Sequence, residues 1–192
     1  MSLRLAALSA ACALGLAAPA LRAQEFDAAA EAEAVCVVCH GADGVPAVPE
    51  APIIAGQQFY YLYVQLRDYA AGRRANDTMA PIVANYTKEQ LQALATYFSE
   101  QPWPDLHARR PGDAVEAKAQ GAMGVGECSQ CHNQYLGDSR IPRLAGQSVT
   151  YLDQTLRDFK NKVRMNAPDK AFLMETYSDE DLKAIAEYLA AL

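Results

Sequence analysis

The pentapeptide CVVCH, Cys36–His40, sets two cysteines three positions apart with a histidine directly behind the second. CSQCH, Cys128–His132, repeats the pattern 92 residues later. Two residues at that spacing share one side of a helical turn. Each pentapeptide therefore gathers two sulfurs and an imidazole in one place. Of the five cysteines in 192 residues, only Cys12 lies outside these motifs. No thiol is left for a structural disulfide or a catalytic nucleophile.

The repetition extends outward from the motifs. APIIAGQQFYYLYVQLRDYAAGRR (51–74) matches IPRLAGQSVTYLDQTLRDFKNKVR (141–164), and Pro52, Ala55, Gly56, Gln57, Tyr61, Leu62, Leu66, Arg67, Asp68 and Arg74 recur 90 positions on. YTKEQLQALATYF (86–98) matches YSDEDLKAIAEYL (177–189) at an offset of 91. A nearly constant offset over three blocks is the mark of a duplicated unit. QPWPDLHARRPGD, rich in prolines and charges, reads as the joint between copies. The expected layout is an export signal over 1–23, a first domain over 24–100, a linker over 101–113 and a second domain over 114–192.

Within each copy the pattern predicts helices and no strand. One short helix leads into the cysteines (27–34 and 113–123). A second runs over 57–71 and 147–162. A third starts behind a hydroxyl cap, Thr87 or Ser178, with Gln90 or Asp181 three positions on. Leu91, Leu94, Ala95 and Phe98 make one apolar face, and Leu182, Ile185, Ala186 and Leu189 the other. A unit of about 80 residues has a small core and usually needs a staple. A covalently held macrocycle would be one.

Cys-x-x-Cys-His has a matching chemistry. The spacing lets both sulfurs add to the two vinyl groups of one haem, while the next residue's imidazole reaches the iron, the c-type attachment. Two alternatives compete. The two cysteine pairs would make one zinc site if they came together. A thioredoxin-like redox pair would need a strand before the motif and no histidine after it. The motifs thus predict two haems c, held by Cys36, Cys39, Cys128 and Cys131, with His40 and His132 on the irons.

Two such units in tandem, each with P-x-x-A-G-Q and a Y-L…L-R-D helix behind the haem motif, resemble the dihaem class I cytochromes c, in particular the cytochrome c-four group. The cytochrome subunit of flavocytochrome sulfide dehydrogenase shares the layout more distantly. The resemblance implies an all-α fold of two small helical domains, each wrapped around one haem. It implies that the carbonyls of Pro52 and Pro142 accept a hydrogen bond from the histidine rings, fixing them and raising their basicity. It also implies a methionine on the far side of each iron, drawn from the loop before the last helix.

In the first copy Met79 is the only methionine in that loop and lies eight positions before Thr87. In the second, the same count back from Ser178 falls on Lys170. Met174 and Met165 flank it. The reading prefers Met174, with Lys170, Met165 or an open site as alternatives. Lysine would bind as a neutral amine, its proton released to solvent as the metal binds. The remaining histidine, His107, lies in the linker and reads as an exposed side chain. Tyr61 and Tyr151 recur on equivalent helices, either near a haem carboxylate or as core. Arg67–Asp68 and Arg157–Asp158 recur too, either between the domains or as solvated charges. Met123 reads as packing.

The first 23 residues, with Arg4 ahead of the apolar run from Leu5 to Ala18 and small residues behind, read as a secretory signal. Its removal deletes two arginines and takes the net charge from −6 to −8. Such a surface disfavours nucleic acid and favours redox protein partners with basic docking patches. The expectation is a periplasmic carrier of single electrons, soluble or peripherally membrane-associated. It would work between dehydrogenases or a quinol-oxidising complex and a terminal oxidase or reductase. Two alternatives stand beside it. One is a haem enzyme with a displaceable ligand at the second haem, peroxidase-like or thiosulfate-oxidising. The other is the cytochrome subunit of a flavoprotein sulfide dehydrogenase.

Overall fold

The computed structural model describes residues 26–192, so the export signal and Cys12 lie outside the described residues. The side chain of Asp27 accepts hydrogen bonds from the Ala29 and Ala30 amides and starts α1 (Ala28–Glu31). A π-helical turn, Ala32–Cys36, carries the chain into α2 (Val37–His40). Such turns widen a helix locally and are common at functional sites. Helix α3 (Phe59–Ala70), a short α4 (Met79–Val83) and α5 (Lys88–Ser99) complete the first half. The second half repeats the order with α6 (Asp113–Val125), α7 (Cys128–Cys131), α8 (Val149–Lys160), α9 (Pro168–Met174) and α10 (Asp179–Ala190).

The caps explain the starts of the final helices. Thr87 and Gln90 close a reciprocal capping box ahead of α5. Ser178 and Asp181 close the same box ahead of α10, so the shorter carboxylate serves as well as a glutamine. Among the described residues the only strand-like pairing is one isolated bridge, Asp138 to Ile141.

Both halves pack alike. Helix α3 lies on α5, and α8 lies on α10. Leu62, Leu94 and Phe98 fill one core, and their counterparts Leu152, Ile185 and Leu189 fill the other. Met123 joins the second core, as expected of a packing residue. Each fully buried leucine contributes about 1.5–3 kcal/mol.

Residues 102–112 form no regular structure, yet Trp103 within them is wedged between the halves. Gly56 and Gly146, both with positive φ (67° and 73°), donate their amides to the last turns of α5 and α10, at Phe98 O and Leu189 O. A methyl group at Gly56 would come within 2.8 Å of the Trp103 backbone nitrogen, and one at Gly146 within 3.1 Å of its indole nitrogen. The Arg143 guanidinium covers the indole ring at 4.5 Å.

Candidate haem sites

His40 ends α2 and is 7% exposed. Its Nδ1 lies 2.8 Å from the Pro52 carbonyl oxygen. A proton on Nδ1 donates to that carbonyl, which leaves the Nε2 lone pair free to act as a ligand. Burial lowers the ring's pKa and keeps the imidazole neutral, although the bond to Pro52 pulls the other way. The second half has the same arrangement, with His132 Nδ1 3.0 Å from the Pro142 carbonyl. Burial depresses His132 as well, and the nearby Lys170 charge adds to the effect.

None of the four motif cysteines is paired in a disulfide. Burial, helped by Glu31, pushes the Cys36 thiol up to about 11. Burial raises Cys128 too, partly offset by Lys170. Burial thus disfavours the thiolate at Cys36 and Cys128, the opposite of the low-pKa thiolate of a redox-active Cys-x-x-Cys pair. Among the described residues no three of His, Cys, Asp or Glu converge as a ligand cluster. The two cysteine pairs therefore do not form the shared zinc site weighed from the sequence.

Both motifs open onto one continuous, largely apolar cavity of about 420 Å³ that crosses from one half to the other. Met79 and Tyr86 line it in the first half; Lys170, Met174 and Tyr177 do so in the second. Met165 is 40% exposed and stands off the cavity wall. His107 lies on the surface beside Asp105, with Nδ1 3.1 Å from its carboxylate.

Two buried arginines face the middle of the cavity. Arg74 and Arg164, each 7% exposed, both donate to Gln65 Oε1, at 2.8 and 2.9 Å. Each also crosses to the other half, Arg74 to the Tyr151 hydroxyl and Arg164 to the Tyr61 hydroxyl. Among the described residues neither guanidinium meets a carboxylate. Buried charges are normally paired; here burial would raise the Tyr151 hydroxyl, but Arg74 and Arg164 outweigh it and pull that hydroxyl down to about 7. An apolar slot with an imidazole and two thiols in each half, and guanidiniums awaiting anions, fits porphyrins bearing carboxylate arms.

The sequence did not signal that the halves would interlock through these residues. The Gln147 side chain takes the Ile53 amide (2.7 Å) and donates to the Ile53 carbonyl (3.0 Å). Gln57 does the same for Arg143, at 2.8 and 3.0 Å. Asp68 accepts from Asn166 across the boundary, whereas Arg157 stays within its own half with Asp153 and Asp179. The recurrence of Gln57, Arg74 and Tyr61 in the repeat was the available signal.

Comparison with known proteins agrees with this geometry. No family model matches the chain. Cytochrome c4 of Thiocapsa roseopersicina is 33% identical over 175 residues, covering 85% of this chain and 90% of that protein. A thiosulfate dehydrogenase electron acceptor from Stutzerimonas stutzeri is 34% identical over 168 residues, covering 81% and 77%. The solved structure of Acidithiobacillus ferrooxidans cytochrome c4 superimposes with a TM-score of 0.73 at 31% identity, covering 82% of this chain and 98% of that one. Fold and site define a tandem c-type cytochrome of class I, all-α and with two haems. The chain belongs to the cytochrome c4 family and is an electron-transfer protein.

Proposed function

We propose that the protein is a periplasmic carrier of single electrons built as two haem domains, 24–100 and 114–192, joined by 101–113. Cys36 and Cys39 would hold one haem and Cys128 and Cys131 the other, with His40 and His132 on the irons and Met79 opposite His40. The haem iron supplies a reversible one-electron change. The chain's own residues do the rest. The proline carbonyls hold each imidazole in one tautomer and orientation. The cavity walls keep water from the centre. Arg74 and Arg164 supply positive charge where carboxylates would otherwise be buried unpaired.

The observation that carries this reading is the twofold occurrence of a buried imidazole tied to a proline carbonyl beside two cysteines outside any disulfide. Among the described residues no helix is long and apolar enough to cross a membrane, which suits a protein docking at a membrane surface or onto soluble enzymes. The name of the Stutzerimonas stutzeri relative points to a thiosulfate-oxidising enzyme as donor. The onward acceptor would be an oxidase or reductase. The test mixes the oxidised protein with a thiosulfate dehydrogenase and thiosulfate and follows reduction optically. Reduction that needs the dehydrogenase and slows as salt rises supports the reading, because the acidic surface steers docking. Consumption of thiosulfate by the protein alone would make it an enzyme instead.

A further inference from the structure

We propose that Lys170, through a neutral side-chain amine, is the second axial ligand of the C-terminal haem. The inference rests on the dihaem reading above and deepens it at one iron.

The repeat brings the two halves into register. In the first half Tyr69, Val83 and Leu91 form a small buried cluster with Tyr86 against it. In the second half Phe159, Met174, Tyr177 and Leu182 form another. The offsets of 90 and 91 match these clusters member for member. Phe159 stands for Tyr69, Met174 for Val83, Tyr177 for Tyr86 and Leu182 for Leu91. Met174, 6% exposed, therefore fills the place that Val83 fills at 2% exposed. Valine has no donor atom, so that place is core rather than ligand. A methionine there substitutes one apolar filler for another.

The mate of Met79 under the same offset is Lys170. Met79 opens α4, and Lys170 lies in the first turn of α9. Both line the cavity, as Val83 and Met174 also do, so the repeat rather than the lining separates the two pairs. Among the described residues no carboxylate pairs with Lys170. It is an amine on an apolar wall with no ion partner. Met165, half-exposed and off that wall, has no such claim. The geometry thus reverses the sequence-based preference for Met174.

Ligation is a simple exchange. The ammonium releases its proton to solvent and the nitrogen lone pair goes to iron, with no change of oxidation state. An amine is a harder donor than a thioether and favours ferric iron, whereas methionine raises the potential. The two haems then differ in potential, and an electron entering at the C-terminal haem moves downhill to the N-terminal one.

The test is near-infrared magnetic circular dichroism and EPR on the oxidised holoprotein, with Lys170→Met, Lys170→Ala and Met174→Leu beside it. The wild type is expected to show one methionine–iron charge-transfer band for two haems, plus a second low-spin ferric species without one. Lys170→Met should increase the band about twofold and raise the lower of the two potentials. Met174→Leu should leave the spectra unchanged. Should Lys170→Met not fold, Lys170→Ala carries the same decision by turning one haem high-spin and open to added imidazole. Two equal methionine bands in the wild type, with one lost in Met174→Leu, would overturn the assignment. So would a Lys170→Ala protein that stays fully low-spin. A preparation without covalent haem, visible first as missing mass, would overturn the underlying reading as well.

Discussion

Gln57 and Gln147 stand ninety positions apart and clasp opposite halves of the molecule in the same way. Each side-chain amide pairs with both backbone groups of one residue across the boundary, Gln57 with Arg143 and Gln147 with Ile53. Replacing either by alanine strands two backbone groups, buried at Ile53 and part-buried at Arg143. The expected loss is about 1–3 kcal/mol per variant. Chemical denaturation of the holoprotein should show a lower midpoint for Gln57→Ala and Gln147→Ala. Gln58→Ala, which removes one exposed bond to Leu136, should lie within about 0.5 kcal/mol of the parent.

Arg74 and Arg164 bring positive charge to the cavity without a carboxylate to match it. Positive charge beside a redox centre favours the electron-richer state. Arg74→Gln and Arg164→Gln should each lower at least one reduction potential in a spectroelectrochemical titration. Unchanged potentials in both variants would show that these guanidiniums do not act on the centres.

Asp68 ties pH to the interface. Burial by itself would raise its carboxyl, but hydrogen bonds from Asn166, Arg73 and Arg67 outweigh burial and hold it below its ordinary 3.8. A carboxylate depressed in the folded state stabilises fully above its unfolded pKa. That stability is lost as pH falls below 3.8 toward the folded value. Thermal unfolding should therefore show a steeper acid loss in the parent than in Asp68→Asn, whose melting temperature starts lower at neutral pH.

Met79 lines the cavity and Met165 lies on the surface, so the two test the proposed ligand in the first half. Met79→Ala should abolish the methionine–iron band and let added imidazole bind the N-terminal haem. Met165→Ala should leave the spectrum as it is, because its side chain lies off the cavity wall.

Much of this molecule was legible beforehand because its information is periodic. Motifs, offsets and caps gave the duplicated layout, and the long helices came within two residues of their ends. The helices α4 and α9 were not visible, since five and seven residues are too few to display a helical period. The π-helical turn before His40 has no residue signature either. The repeat did mark Gln57, Tyr61 and Arg74 as shared, but a sequence repeat carries no direction. It does not tell whether a side chain serves its own half or reaches into the other. Lys170 was found by counting from a cap, while residue type favoured Met174. The paired clusters around Val83 and Met174 are what carry the proposal for Lys170.

The central claim is that each half of this chain carries one covalently bound haem on its own cysteine pair. Intact mass spectrometry of the exported protein, made in a host with c-type haem maturation, tests it most directly. The account predicts the mass of two haems on the parent and of one on either Cys36→Ala/Cys39→Ala or Cys128→Ala/Cys131→Ala. A parent that matures without added mass, or a cysteine-pair variant that still carries both haems, would contradict it.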